Sequence, residues 1–313
     1  MVALSTLVLS VATTALGAMD AASRKEAEEW RKRHETSYRK EYVPLAGLFA
    51  LKPGPNTAGS AASNAIVLPK SVPAIIGRFV LPGNNVKPGN PGNSGNPGNN
   101  VKTVTFEPQP GVAVTLKGQR VTTSIALTSD IADAPDELAI GDITLWVHLS
   151  GDRPTIRMRD PNGETARSFR GFAWFPIEDQ YRVTGRFIKD PAPREVKAPN
   201  QLGDEDTMQS EGVVEFKMAG QTVRLRPMTT RPNRLYFIFR DGTSGKETYE
   251  TARFLYTNLN PDGTTIMDFN QAYNPPCSFN PYTTCPLPPK ENRLTVRILA
   301  GEKAYPHSPH IIQ

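Results

Sequence analysis

Three carboxylates, Asp241, Asp268 and Glu302, stand at the ends of apolar runs in the C-terminal part of this 313-residue chain. Loop positions beside strands are where binding and catalytic side chains concentrate. Two such acids about 5 Å or about 6.5–9.5 Å apart could hydrolyse a glycosidic bond. Singly, Asp268 could cap a turn and Glu302 could pair with Arg253 or Arg297. Around them lie Arg240, Tyr249, Arg253, Asn270, Asn274 and Asn292, whose amide, phenol and guanidinium groups suit a polar small molecule or a glycan. All nine residues, although spread over three segments, are expected to converge on one solvent-reachable cavity.

The other reactive side chains support less. Cys277 and Cys285, the only cysteines, are separated by SFNPYTT. In an exported protein two cysteines at this spacing most simply form one disulfide. A thiolate nucleophile at Cys277 would need a nearby base, and no histidine is close in sequence. His307 and His310 of PHSPH could join the cysteines around a metal, but the cysteine spacing is wider than in zinc sites, so neither metal nor cofactor is expected. RDGTSGKETY, from Arg240 to Tyr249, is too short between its glycines for a phosphate loop and has no Ser or Thr after Lys246. Asp241-Gly242 and Ser244-Gly245 instead mark a hairpin turn, with Thr243 and Ser244 available to a polar pocket. GTSGK is no nucleophile elbow. His148, in ITLWVHL, belongs to a sheet.

What must position these groups is the stretch DFNQAYNPPCSFNPYTTCPLPPKEN, from Asp268 to Asn292. Each proline removes a backbone donor and disfavours a helical predecessor, so the segment is a stiff irregular loop, followed by a strand-like LTVRIL. This run, with the downstream AGEK and the upstream FRDGTSGKETYETARFL, resembles the signature of a large, mainly bacterial family, domain of unknown function 1684. The resemblance reaches from Trp30 to Tyr305 through WRKRHETSYRKEYVPLAGLFAL and FRGFAWFP. It implies a fold and a set of positions, and no reaction.

The remaining chain predicts an all-β protein, a mostly antiparallel sandwich or barrel, with one N-terminal amphipathic helix. Ala27, Trp30, His34 and Tyr38 recur at helical spacing within residues 21–43, with Trp30 as anchor. From residue 44 to 305 short Val-, Ile-, Thr- and Phe-rich runs, among them FRGFAWF and QTVRLRP, are punctuated by Gly, Pro and Asn, as one β-rich domain requires. In QTVRLRP, Val223 and Leu225 face one way, and Arg224 and Arg226 the other. Residues 83–100, GNNVKPGNPGNSGNPGNN, form a disordered insert, Asp190 to Gln209 a lid or, more simply, a linker, and 306–313 a tail. The apolar run Val2 to Gly17 resembles a signal peptide with a cut before Ala18, placing the protein in the periplasm or outside the cell. It is too short and too rich in Ser and Thr for a stable membrane span. The formal charge of +5 is spread evenly, which excludes a nucleic-acid surface.

Overall fold

The computed structural model describes residues 19–83, 103–150, 153–200 and 205–306, without the side chains of residues 205, 206, 229 and 230. The signal-like segment, the Gly/Asn/Pro insert apart from Gly83, and the tail with His307 and His310 lie outside the described residues. Among the described residues no helix is long and apolar enough to cross a membrane.

Helix α1 (Ala21–Glu41) starts where the Asp20 side chain accepts from Ser23 N at 2.6 Å, and Pro44 prevents its extension. Its buried positions, Ala27, His34 and Tyr38, share one face, as the periodicity requires. Eleven strands follow: β1 (Leu45–Ala50), β2 (Gly54–Gly59), β3 (Ile66–Val67), β4 (Gly77–Leu81), β5 (Val104–Pro108), β6 (Thr115–Leu116), β7 (Gln119–Arg120), β8 (Ile125–Leu127), β9 (Glu137–Ile140), β10 (Ile143–Ser150) and β11 (Arg153–Arg159). They make two open sheets, ordered β1-β11-β10-β9-β6-β7 and β3-β2-β4-β5-β8. Alternate residues of the two sheets, such as Phe79, Phe106, Leu138, Leu145 and Ile156, meet in one buried cluster. That arrangement is a sandwich, not a closed barrel.

After the short α2 (Glu164–Ser168) come β12 (Arg182–Pro199), β13 (Glu205–Met218), β14 (Gln221–Leu225), β15 (Met228–Arg231), β16 (Arg234–Phe239), β17 (Arg253–Asn258) and β18 (Thr264–Asp268). They form a four-stranded sheet, β14-β13-β12-β18, and a three-stranded sheet, β15-β16-β17. β16, RLYFIF, explains why this half carries the longest apolar run. Leu235, Phe237 and Phe239 pack on the four-stranded sheet, while Tyr236 and Ile238 pack on the other side with Tyr38, Phe169, Tyr273 and Phe279. With both faces covered, the strand loses its polar alternation.

Three expectations about elements are corrected. Of the expected linker, residues 190–199 and 205–209 belong to the long paired strands β12 and β13, whose register breaks between Lys189 and Arg194, where Pro191 and Pro193 lie. FRGFAWF is not a strand, because Gly171 turns the chain at φ +94° and its rings enter the aromatic cluster around α1. LTVRIL bends at Thr295 and Val296 and belongs to no sheet; the carbonyls of Ile298 and of Ala300 just beyond it are taken by the Arg253 guanidinium instead of a neighbouring strand.

Candidate functional site

The nine candidate residues fall into separate groups along the proline-rich loop. Arg253 and Asp241 form an ion pair at 2.5 Å with both side chains at 0% exposure. Arg253 also donates to Ile298 O (3.1 Å) and to Ala300 O. The other Asp241 oxygen accepts from Thr243 N (2.7 Å) and Thr243 Oγ1 (2.6 Å). Such a pair offsets the cost of burying two charges only when its remaining hydrogen bonds are satisfied; here the backbone and the Thr243 hydroxyl supply most of them, and the Arg253 Nε is left enclosed without a partner. Arg240 ties this turn to the loop through its backbone, donating to Asn292 O and accepting from Leu294 N.

Asp268 does cap a turn: its Oδ1 accepts from Asn270 N (3.1 Å) and Asn270 Nδ2 (3.0 Å). Burial raises its pKa against these bonds. The Asn270 amide also exchanges two bonds of 3.0 Å with the Glu178 backbone, and Asn270 O receives the Arg31 guanidinium of α1. Glu302 pairs with neither Arg253 nor Arg297. Its carboxyl accepts from Asn274 N (2.9 Å) and Asn274 Nδ2 (3.0 Å), and its Oε2 lies 3.9 Å from His34 Nε2. Gly301 makes this approach possible: at φ +77°, a Cβ there would stand 2.2 Å from Ala272 O.

His34 fills the space above Glu302. Its ring stacks on Trp30 at 4.9 Å and meets Tyr38 at 4.1 Å and Tyr273 at 4.6 Å. Desolvation pushes Glu302 up to about 8 and His34 down to about 3, so at neutral pH both are uncharged. The sequence identified Trp30 as the anchor of α1, whereas the more deeply buried group is His34. A histidine on the apolar stripe of a helix is the signal that could have revealed it.

No disulfide joins Cys277 and Cys285 in this structure; both are buried, the Cys285 side chain meets that of Cys277, and they lie in the cluster with Phe279, Tyr236 and Phe254. Tyr249 OH donates to Cys277 Sγ at 3.8 Å, and burial drives the Cys285 pKa well up. Thiols held in this way behave as small apolar groups. His148 is a sheet residue, as expected, in contact with Asp130 (2.6 Å) and Arg157 (3.0 Å).

Asn292 leads elsewhere. Its amide accepts from Arg226 N (2.8 Å) and donates to Arg226 O (2.8 Å) and Ile238 O (2.9 Å), locking the end of the proline-rich loop under the residue after β14. Next to it opens a cleft of about 420 Å³, lined by Ile188, Asp190, Arg194, Val213, Arg224, Arg226 and Glu291. Arg226, taken from the sequence as a wet-face partner of Arg224, is nearly buried and donates to Asp190 Oδ2 at 2.5 Å. None of the lining residues is among the nine candidates: Glu291 flanks Asn292 in the proline-rich stretch, and the others lie in segments that the sequence presented as strands or as a linker. Arginine at a strand end directly before proline was the available signal for Arg226.

No curated protein matches the chain. The solution structure of an uncharacterised protein from Haloarcula marismortui is 28% identical over 46% of this chain and 82% of that one, with a TM-score of 0.37. Residues 167–303, which contain all nine candidate residues and the cleft, match the model of the family described as protein of unknown function (DUF1684), the family that the proline-rich motif resembles.

Proposed function

We propose that the protein is an exported binding module for a small polar molecule or glycan, and that its ligand occupies the cleft bordered by Arg226 and Glu291. Export rests on the apolar run Val2 to Gly17. The observation that carries the binding site is the cleft itself. Its volume of about 420 Å³ lies in the range of small-molecule sites, about 300–1,000 Å³, and a few polar groups converge over the apolar Ile188 and Val213. Arg226 gives it a fixed donor, since Asp190 and the Asn292 amide hold that residue in place. A carboxylate or thiol hydrolase has weaker support, because Glu302, Asp241 and Cys277 are all buried. A purely structural envelope role accounts for the buried seam but assigns nothing to the cleft.

A thermal-shift screen of neutral and charged saccharides and small organic acids tests the reading. A binding module gives a raised Tm with no product formed, and the shift shrinks in Arg194→Gln but not in Tyr249→Phe. Turnover of any compound would favour the hydrolase, and no shift with any compound would favour the structural role.

A further inference from the structure

Arg226 is committed on one side only. Its Nη1 donates to Asp190 Oδ2 (2.5 Å), Gly212 O (3.1 Å) and Ser210 Oγ (3.5 Å). Its Nε lies 2.7 Å from Glu291 Oε1, yet is not aligned with it as a hydrogen bond. Glu291 sits on a single turn, Lys290–Asn292, with its side chain 48% exposed. A buried guanidinium needs an anionic partner, and this one is a half-solvated side chain in imperfect geometry. Arg194 and Arg224 line the same cleft and are largely exposed.

Charge limits the anion that fits. The guanidinium groups of Arg194, Arg224 and Arg226 are matched by the carboxylates of Asp190, Glu215 and Glu291, with Glu215 taking Arg224 at 2.7 Å and Asp190 lying 3.4 Å from Arg194. If Glu291 swings into water, one positive charge is left over. A monoanion balances it, while a dianion would meet the retained Asp190. A planar carboxylate also matches the fork of a guanidinium.

We propose that the cleft is a carboxylate site with Glu291 as its built-in occupant: an organic monocarboxylate displaces Glu291 from Arg226, lies between Arg194 and Arg224, and rests its carbon skeleton on Ile188 and Val213. This rests on the reading of the cleft as the binding site. Glu291 therefore sets the affinity by competing with the ligand.

The test uses D-glucuronate and D-glucose, which differ by a carboxylate, in calorimetric titrations of the full chain at low salt. Proteins are the wild type, Glu291→Gln and Arg224→Gln, each checked for folding by circular dichroism. Removing the internal competitor is expected to tighten glucuronate binding about tenfold and to leave glucose unchanged, whereas Arg224→Gln weakens glucuronate. Equal glucuronate affinity in wild type and Glu291→Gln overturns the proposal. Glucose binding as strongly as glucuronate overturns it too but leaves the cleft as a glycan site. Failure of both sugars to bind any of the three proteins overturns this proposal; a hit in the wider screen would still preserve the cleft as a site for another compound.

Discussion

Two arginines of this protein, Arg253 and Arg226, are buried to almost the same degree and do opposite things. Arg253 spends its Nη donors on Asp241 and on the carbonyls of Ile298 and Ala300, standing in for the strand that would otherwise pair with residues 298–300, while its unpartnered Nε is sealed from solvent. Arg226 spends one end on Asp190 and Gly212 and turns the other toward a cleft and a loosely held Glu291. Burial and charge alone do not separate a structural arginine from one proposed to bind a ligand. What separates them is whether the donors end on fixed backbone or on a side chain that water can release.

The comparison predicts where substitution hurts. Asp241→Asn and Arg253→Met each strand a partner in a fully buried pair, and each is expected to cost about 3–5 kcal/mol, measured as a lower urea midpoint at unchanged m-value. If either variant keeps wild-type stability, the seam is not what holds residues 298–300 in place.

A smaller, pH-dependent effect belongs to Glu302. The folded protein holds the Glu302 proton more tightly than the unfolded chain. Its stabilisation is therefore complete below about pH 4.5 and is lost as the pH rises through about 8. His34 acts with the opposite sign: its pKa falls from 6.5 to about 3, so its contribution is present above pH 6.5 and lost as the pH falls through about 3. The two slopes offset each other between about 4.5 and 6.5. The wild type is thus expected to lose stability between about pH 6.5 and 8, and Glu302→Gln to lack that limb in urea titrations. A wild-type curve parallel to that of Glu302→Gln across this window would place the Glu302 proton elsewhere.

Much of this was legible in the sequence where local chemistry decides. The stripe of Ala27, His34 and Tyr38 made a helix, and Asp268 two residues before Asn270 made a cap. The prolines from Pro275 to Pro289 made an irregular loop, which contributes no strand and touches the end of β12 through Leu287 N on Pro199 O. What was not legible depended on distant partners. LTVRIL has the composition of a strand, but its carbonyls bind a side chain that starts more than forty residues earlier. The two cysteines have the spacing of a disulfide, but the fold places them among aromatic rings. The alternation Val223, Arg224, Leu225, Arg226 holds only while the strand lasts. β14 ends at Leu225, so Arg226 turns inward under Asn292.

Asn292 joins the two arginines' neighbourhoods, with its own backbone on Arg240 and its amide on Arg226 and Ile238. Asn292→Ala leaves the buried Arg226 N–H and two carbonyls without partners, at an expected cost of about 1–3 kcal/mol, less than the seam variants. It should also blunt ligand binding in the cleft, because Arg226 loses its backbone clamp.

The smallest effect on stability is expected where the largest effect on binding lies. Arg194 and Arg224 form their ion pairs at the surface, with side chains 60% and 65% exposed, where such pairs contribute at most about 1 kcal/mol. Arg194→Gln and Arg224→Gln should therefore unfold within about 0.5 kcal/mol of the wild type, while Arg226→Gln leaves Asp190 without the bond that holds its pKa below the ordinary carboxylate range and unfolds earlier. Urea midpoints of the three variants side by side decide this. If the exposed pair destabilised the fold as much as Arg226→Gln, the cleft would be as structural as the Arg253 seam, and the contrast between the two buried arginines would collapse.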